Sequence, residues 1–278
     1  MKTHKILVPM DFSKCAINAL RIAKTIAKRN HFTIEMVTAI HLSHIHHETA
    51  GMDAIMQSLL VEKYQQIDRS YKELYEKESL NEVNFEIKKF VSSVQDAIFS
   101  SIEAGDVQLV ITGTKAHHDL LEKLLGSKSA DMISFSTVPV LVIPENVTDF
   151  NIQKIGLAID FDDMIDLNKL SMVHWFASQY KALVEIFYIS ENSEEKFLFD
   201  DQKVNLAAYF KNVKHSFINI SKKLDSSGVE ITEAVKNLGI DLLFMHPKNH
   251  KLLESFFKPS ITKSVLSKLE IPMLSVHE

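Results

Sequence analysis

Cysteine, arginine and long apolar runs are scarce in this chain, and each scarcity excludes a class of protein or site. The 278 residues contain one cysteine, Cys15, so no intramolecular disulfide forms. Arginine occurs only at Arg21, Arg29 and Arg69. Because arginine is the usual side chain for bidentate phosphate and base recognition, a bound phosphate would be held mainly by backbone amides, hydroxyls, lysines or a metal. No apolar run approaches the roughly 20 residues that span a bilayer.

The overall charge also bears on the partners of the chain. A net charge of −5 and a pI near 6.2 argue against a general nucleic-acid-binding protein, which usually carries a basic face. Hydrophobic residues make up 46% and charged residues 24%, which is typical of a folded protein. The sequence begins with a strand-like pattern rather than a signal-peptide pattern. Together with the single cysteine, this pattern leads us to expect a cytoplasmic protein that contacts neither nucleic acid nor membrane.

Three segments of the first half recur in the second half in the same order. The recurring pairs are 5–12 with 154–161, 108–112 with 241–245, and 139–143 with 272–276. The first pair is 149 residues apart and the other two are 133 residues apart, so the second copy lacks 16 residues in its middle. Internal repetition of this kind predicts two diverged copies of one domain. We assign them to residues 1–146 and 152–278, with a linker near 145–151.

Each copy alternates short β-branched runs with helical patterns. In the first copy we predict strands at 5–10, 33–40, 83–90, 108–112 and 140–143, and helices at 13–29, 53–78, 93–104 and 126–136. Ser13 is a predicted N-cap for the first helix, where its hydroxyl would accept from a backbone N–H. Strands made of continuous apolar runs are expected when helices cover both faces of a sheet. The pattern predicts an α/β fold with a doubly wound, Rossmann-like (HUP-type) parallel five-stranded sheet in each copy.

The loop after the fourth predicted strand carries two of the seven glycines. The segment GTKA at 113–116 is followed by nine residues and then by a Gly-Ser pair at 126–127. In a doubly wound sheet, ligands bind outside the carboxyl ends of the strands, which places Asp11, the residues after Ile40 and this loop at one edge. Amides, a hydroxyl and the positive end of a helix dipole at the Gly-Ser pair suit a phosphate. Taken alone, the glycine pair fits an ordinary turn and helix start better than a phosphate site.

The ordered set of these elements resembles the universal stress protein family. The set is a hydrophobic strand, Asp11-Phe12-Ser13, the Gly-x2-Ala-x9-Gly-Ser loop, and the VPVLV segment at 138–142. Nucleotide-binding members of that family carry Gly-x2-Gly-x9-Gly-Ser/Thr, whose backbone and hydroxyl hold the ATP phosphates. The resemblance covers essentially the whole chain as two tandem copies. It implies that the chain binds ATP with a divalent ion such as Mg²⁺ between the phosphates and acts in stress response or regulation.

The resemblance also assigns candidate nucleotide contacts in the first copy. Asp11 matches the family aspartate that holds the adenosine part, and Ala39 falls at the adenine-contacting position. The phosphate side comprises Gly113, Ala116 in place of the second family glycine, Gly126, Ser127 and, as an electrostatic neighbour, Lys128. We assign no catalytic residue and no protein ligand to a metal. Any ATP hydrolysis is expected to be slow, because no side chain is assigned as base for the attacking water.

The second copy departs further from the family pattern. Its loop reads HPKN at 246–249, then nine residues, then Pro259-Ser260. The spacing and the serine are kept, but the glycines are gone and Pro259 removes one amide donor. Asp160 persists at the position that corresponds to Asp11. We expect a degenerate copy with a structural or regulatory role, the alternative being a different anion site built from the side chains at 246–249.

Two other functions are compatible with the sequence. One is an interaction scaffold that binds no nucleotide, which the alanine at 116 and the altered second loop favour. The other is a carrier or sensor of a small ligand, which would use a cavity left by unoccupied nucleotide sites or by the shortened second copy. In each case the two copies are expected to form an intramolecular pseudo-dimer, with a homodimer of chains as a further option. The apolar strands 140–143 and 273–276 would pair with each other or with a second chain.

A histidine cluster follows the second predicted strand. It consists of His41, His44, His46 and His47. Closely spaced imidazoles bind zinc, and four would suffice in number. No cysteine or nearby carboxylate completes a recognised metal-ligand pattern, so the other interpretation is a loop whose polar side chains face water.

Overall fold

The computed structural model of the chain describes residues 4–41, 52–115, 132–133, 135–159, 166–190, 195–221, 227–245, 265 and 270–276. Its strands are β1 (Lys5–Pro9), β2 (Thr33–Ala39), β3 (Phe85–Phe90), β4 (Val107–Thr114), β5 (Val140–Pro144), β6 (Lys154–Ala158), β7 (Leu183–Ser190), β8 (His215–Ser221), β9 (Leu242–Met245) and β10 (Met273–Ser275). Its helices are α1 (Lys14–Asn30), α2 (Met52–Lys77), α3 (Val94–Glu103), α4 (Ser171–Tyr180), α5 (Glu195–Tyr209) and α6 (Ser227–Leu238). Short 3₁₀ turns lie at Leu80–Glu82 and Leu167–Leu170.

The elements predicted for the first copy form where the hydrophobic periodicity places them. All five strands and the first three helices are present, with ends within about two residues of the predicted limits. Of the fourth predicted helix, 126–136, the structure describes only residues 132, 133, 135 and 136, of which the first three are helical. The α/β fold class is therefore confirmed, since buried apolar strands alternate with helices through the described chain.

Helix α1 shows how local sequence sets an element. The Ser13 Oγ accepts from the Ala16 backbone N–H at 3.2 Å, which caps the first turn as predicted. His31 caps the C-terminus of the helix: it takes the left-handed conformation (φ 57°) and donates its N–H to the Ala27 carbonyl. Its buried face includes Cys15, Ala16, Leu20, Ile22, Ala23, Ile26 and Ala27. Cys15 is thus a buried thiol on this face.

The chain divides into two compact units, Met1–Thr112 and Gly113–Glu278. In the first unit the strand order is β3-β2-β1-β4, and all neighbouring strands are parallel. The chain moves outward from β1 to β3 and then returns to the other side of β1. The order of strands therefore reverses between β1 and β4, and their carboxyl ends form the kind of edge at which doubly wound sheets bind ligands.

In the second unit the strand order is β8-β7-β6-β9-β10-β5. Neighbours are parallel except β10 and β5, which pair antiparallel with Met273 opposite Val142 and Ser275 opposite Val140. The predicted pairing of the strands at 140–143 and 273–276 therefore occurs within the chain. Both strands are fully buried, so each covers the apolar edge of the other.

Strand β5 belongs to the second unit, where it pairs with β10. The limits drawn from the repeat, 1–146 and 152–278, stay a prediction. Within the described ranges, no helix is both long and apolar enough to cross a membrane. The longest, α2, alternates charged and apolar residues and buries only one side, including Tyr71 and Leu74.

Candidate functional site

Asp11 lies in the short connection between β1 and α1, where the sequence predicts a ligand contact. The Asp11 Oδ1 accepts the Ser13 backbone N–H at 3.0 Å, which makes a tight turn into the helix. The Asp11 side chain is exposed, and within the described residues its Oδ2 has no hydrogen-bond partner. The carboxylate is therefore oriented by the backbone while one oxygen stays available to a ligand.

Phe12, the residue after Asp11, has an uncommon backbone conformation. Its φ is 60°, in the left-handed region that costs a non-glycine residue about 1–2 kcal/mol. Its ring contacts that of Tyr71 edge to face, with centroids 4.9 Å apart and planes at 74°. Such aromatic pairs contribute roughly 0.5–1.5 kcal/mol beyond area burial, so the contact with Tyr71 offsets much of the backbone cost.

Tyr71 also reaches the residue before Asp11 through Thr38. The Tyr71 hydroxyl lies 2.6 Å from the Thr38 Oγ1, and that Oγ1 donates to the Met10 carbonyl oxygen at 2.9 Å. A threonine hydroxyl has one proton, and here it goes to Met10, so Tyr71 is the donor to Thr38. Burial raises the pKa of Tyr71 to about 12, so the phenol keeps its proton at neutral pH.

Ala39 occupies the last position of β2, beside the connection that holds Asp11. Strands β1 and β2 run in register, with Pro9 opposite Val37. The end of β2 at Ala39 and the connection that holds Asp11 therefore lie at the same carboxyl edge of two adjacent parallel strands. Ala39 is partly buried, and the Ile40 N–H donates to the Phe90 carbonyl at 2.7 Å, which joins the end of β2 to β3.

Gly113 lies near the end of β4, which continues to Thr114, two residues beyond the predicted strand. Gly113 is thus part of a strand, and the loop begins later than expected. The Thr114 carbonyl accepts from the Glu145 N–H at 2.9 Å, so the strand end is held by the backbone. The remaining candidates, Ala116, Gly126, Ser127 and Lys128, lie outside the described residues. So do Asp160 and the second-copy loop at 246–260, and these assignments stay predictions.

Most of the histidine cluster also lies outside the described residues. His41 is exposed just after β2, whereas His44, His46 and His47 are outside the described residues. Among the residues that the structure does describe, no group of three or more His, Cys, Asp or Glu side chains is arranged to hold a metal ion. The zinc interpretation stays a prediction.

The supporting pair, Tyr71 and Thr38, is absent from the candidates derived from sequence. Tyr71 belongs to an apolar helix face, and Thr38 belongs to a buried strand, so each has an ordinary place in its element. The only local signal is a hydroxyl on a strand that is otherwise apolar toward its end. Their meeting depends on how α2 packs against β2, which periodicity does not encode.

Comparisons with known proteins agree with this fold. A universal stress protein from Archaeoglobus fulgidus superposes with a TM-score of 0.76 at 16% identity, covering 100% of this chain and 99% of that chain. A functionally unknown protein from Pseudomonas aeruginosa gives a TM-score of 0.61 at 14% identity, with 99% and 92% covered. The cytoplasmic domain of a prokaryotic cation chloride cotransporter gives 0.53 at 10% identity, with 99% and 95% covered. At these identities the likeness shows a shared fold.

The sequence itself carries the family assignment. A search of curated proteins found no match. The sequence profile of the universal stress protein family matches residues 2–144, which is just over half of the chain and includes the Asp11 connection, β2 and β4. The chain belongs to the universal stress protein family.

Proposed function

We propose that this chain binds MgATP in its first copy and acts in stress response or regulation as a tandem universal stress-type protein. The observation that carries the proposal is the Asp11 connection at the carboxyl edge of β1. There the backbone holds one carboxylate oxygen at 3.0 Å from the Ser13 nitrogen, and the other is open to a ligand. A carboxylate in this place would accept from ribose hydroxyls or the adenine amino group.

The phosphate side of the proposal rests on the sequence motif. Gly113, Ala116, Gly126 and Ser127 would hold the triphosphate through backbone amides and a hydroxyl, with Lys128 adding positive charge. When bound, Mg²⁺ would neutralise charge between the phosphates, and no side chain of this chain is assigned to ligate it. The role of the protein is then to bind and orient the nucleotide, with at most slow hydrolysis.

Three structural correspondences support two tandem copies. The order β8-β7-β6-β9 repeats the order β3-β2-β1-β4. Helices α1 and α4 are both capped at the C-terminus by a non-glycine residue in the left-handed conformation, His31 (φ 57°) and Lys181 (φ 54°). A glutamate is buried at the same register of the second strand in each half, Glu35 opposite Leu7 and Glu185 opposite Gly156.

We propose that the second copy serves a structural or regulatory purpose and does not hold ATP in the same way. Pro259 lacks the amide donor that a phosphate cradle needs, and the glycines of the motif are replaced. The copies would form an intramolecular pseudo-dimer, to which the β5–β10 pairing contributes. The single cysteine supports a reducing compartment, and the cytoplasm is the proposed location.

Calorimetric titration of MgATP into ligand-stripped protein tests this function. We expect about one site per chain, with binding lost in Gly113→Val and Gly126→Val and strongly weakened in Asp11→Asn. Asp149→Asn is the matched control, because Asp149 is exposed and far along the chain from the motif. Absence of both heat and thermal shift at millimolar ATP overturns the proposal and favours the scaffold or carrier alternatives. Mass spectrometry of the purified protein then separates these two by the presence of a bound ligand.

A further inference from the structure

We infer that Tyr71 is a positioning residue for Asp11: one side chain of α2 fixes the backbone on both sides of the proposed adenosine-binding carboxylate. The inference rests on the proposed function and names the part of the fold that gives this site its shape. It assigns to Tyr71 and its partner Thr38 a role in nucleotide affinity although neither is expected to touch the nucleotide.

On the C-terminal side of Asp11, Tyr71 holds the backbone through the contact of its ring with Phe12. The edge-to-face contact with Phe12, at 4.9 Å between centroids, holds a residue whose φ of 60° few side chains adopt. Strained backbone of this kind persists only when its surroundings over-determine it, and it concentrates at ligand-binding positions. Without the ring of Tyr71 against it, Phe12 is free to relax to negative φ and to turn Asp11 with it.

On the N-terminal side of Asp11, Tyr71 holds Met10 through its hydroxyl and Thr38. It donates to the Thr38 Oγ1 at 2.6 Å, and Thr38 donates to the Met10 carbonyl at 2.9 Å. Met10 is held a second time by its own N–H, which donates to the Val37 carbonyl at 2.8 Å. Tyr71 and Thr38 are only 4% and 5% exposed, so water does not compete for these bonds.

In this arrangement the carboxylate of Asp11 would bind the nucleotide, whereas the phenol of Tyr71 orients that carboxylate. Asp11 is exposed, and among the described residues its side chain is held by the Ser13 N–H alone, so its direction depends on the backbone of Met10 and Phe12. Both neighbours are tied to one buried phenol. Pre-organisation of a binding group in this way raises affinity, because less conformational freedom is lost when the ligand binds.

The two functions of Tyr71 are separable by substitution. Tyr71→Phe keeps the ring against Phe12 and removes the donor to Thr38, whereas Thr38→Val removes both the acceptor for Tyr71 and the donor to Met10. Tyr71→Phe should raise the Kd for MgATP by roughly fivefold, the effect of about one neutral hydrogen bond, and Thr38→Val should raise it by at least as much because two bonds are lost. Thr38→Ser keeps a hydroxyl and should restore affinity to near the wild-type value. Tyr75→Phe is the matched control, because Tyr75 lies on the same helix, is 42% exposed and has no hydroxyl partner within the described residues.

A double-mutant cycle with Asp11→Asn distinguishes positioning from general destabilisation. If Tyr71 acts through Asp11, Tyr71→Phe weakens MgATP binding in the wild type but adds little in the Asp11→Asn background. Equal weakening in both backgrounds overturns the inference, as does a Tyr71→Phe protein that binds MgATP as tightly as the wild type while the Asp11→Asn protein does not. A wild type that fails to bind MgATP overturns the proposed function and this inference together. The results above overturn the inference while the wild type still binds MgATP, so the two failures are distinguishable.

Hydrogen exchange in the nucleotide-free protein supplies a second readout. The Ser13 amide is the donor to Asp11, so its protection reports the turn directly. We expect faster exchange at Ser13 in Tyr71→Phe and Thr38→Val, with unchanged exchange in Tyr75→Phe. Unchanged Ser13 exchange in the first two variants contradicts the inference whatever the affinity for MgATP.

Discussion

Arg21 donates two hydrogen bonds to the carboxylate of Glu78 and so ties α1 to the end of α2. The Arg21 Nε lies 2.8 Å from Glu78 Oε2, and Nη2 lies 2.7 Å from Oε1. The Glu78 side chain is 6% exposed and that of Arg21 is 50% exposed. Two parallel bonds between a guanidinium and a buried carboxylate are stronger than an ordinary surface pair. These bonds, followed by the positive charges of Arg21 and Lys24, hold the pKa of Glu78 below its usual range.

The lowered pKa of Glu78 predicts acid sensitivity. A carboxyl whose pKa is lower in the folded state contributes stability above its unfolded pKa, here about 4.5, and loses it as the pH falls through the folded pKa. Glu78→Gln should lower the free energy of unfolding by about 1–2 kcal/mol at pH 7 and should flatten its decline below pH 4.5. Denaturant unfolding at a series of pH values measures both. Glu76→Gln, at an exposed position in the last turn of α2, should leave the curve unchanged; a parallel decline in the wild type and Glu78→Gln contradicts the prediction.

The raised pKa of Tyr71 leads us to expect that the folded protein loses stability in alkali. Burial raises its folded pKa from 10.0 to about 12, so its contribution to stability is complete below pH 10 and disappears as the pH rises through 12. In a spectrophotometric titration of the six tyrosines, Tyr71→Phe should remove the component that ionises near pH 12. The Tyr75→Phe protein should keep that component. Its persistence in Tyr71→Phe would assign the late titration to another phenol.

Gly156 is expected to tolerate no side chain, because β6 packs tightly there. A Cβ at this position would lie 2.9 Å from the Phe187 Cε2 and 3.2 Å from the Ile240 Cγ2, inside normal contact distance. Gly156→Ala should therefore cost about 1–3 kcal/mol of unfolding free energy, measured in urea.

Gly239→Ala is the comparison for that prediction. Gly239 has φ +62°, and no neighbouring atom lies within 4 Å of the place that an alanine methyl would take. The cost of this substitution, about 1–2 kcal/mol, therefore comes from backbone strain alone. Phe187→Leu should relieve part of the Gly156→Ala penalty and none of the Gly239→Ala penalty. Simple additivity in both double variants would contradict the steric explanation.

Ser93 is expected to stabilise α3 as its N-cap. Its Oγ accepts the Asp96 N–H at 3.1 Å and lies 2.6 Å from the Asp96 Oδ2. Ser93→Ala should lower the unfolding free energy by about 1 kcal/mol, the usual value of such a cap. Ser100→Ala, an exposed position within the same helix, should be neutral or slightly stabilising. Equal effects of the two substitutions in thermal unfolding would show that the cap contributes nothing.

The sequence by itself determined the elements and their class. The apolar stripe of α1 and its Ser13 cap are local features, because a helix face repeats within a few residues and a cap bonds within three. The continuous apolar strands likewise required helices on both faces, and from that the α/β fold followed. Asp11 was placed at the ligand-binding edge because it follows a strand and precedes a helix, which is a local property, and the family resemblance assigned its role as a nucleotide contact.

Only the tertiary structure decided which distant groups meet. Thr38 and Tyr71 are separated by 33 residues, and their hydrogen bond exists because α2 packs over the end of β2. Glu35 is 1% exposed, yet it is held by Lys5 at 3.3 Å and Lys88 at 3.0 Å, cations that the register of β1, β2 and β3 supplies. A local pattern tells which face of an element is apolar, whereas the partner across that face depends on strand order and register. For this reason the sequence alone pointed to the carboxylate of the candidate site, and the fold alone revealed the phenol that orients it.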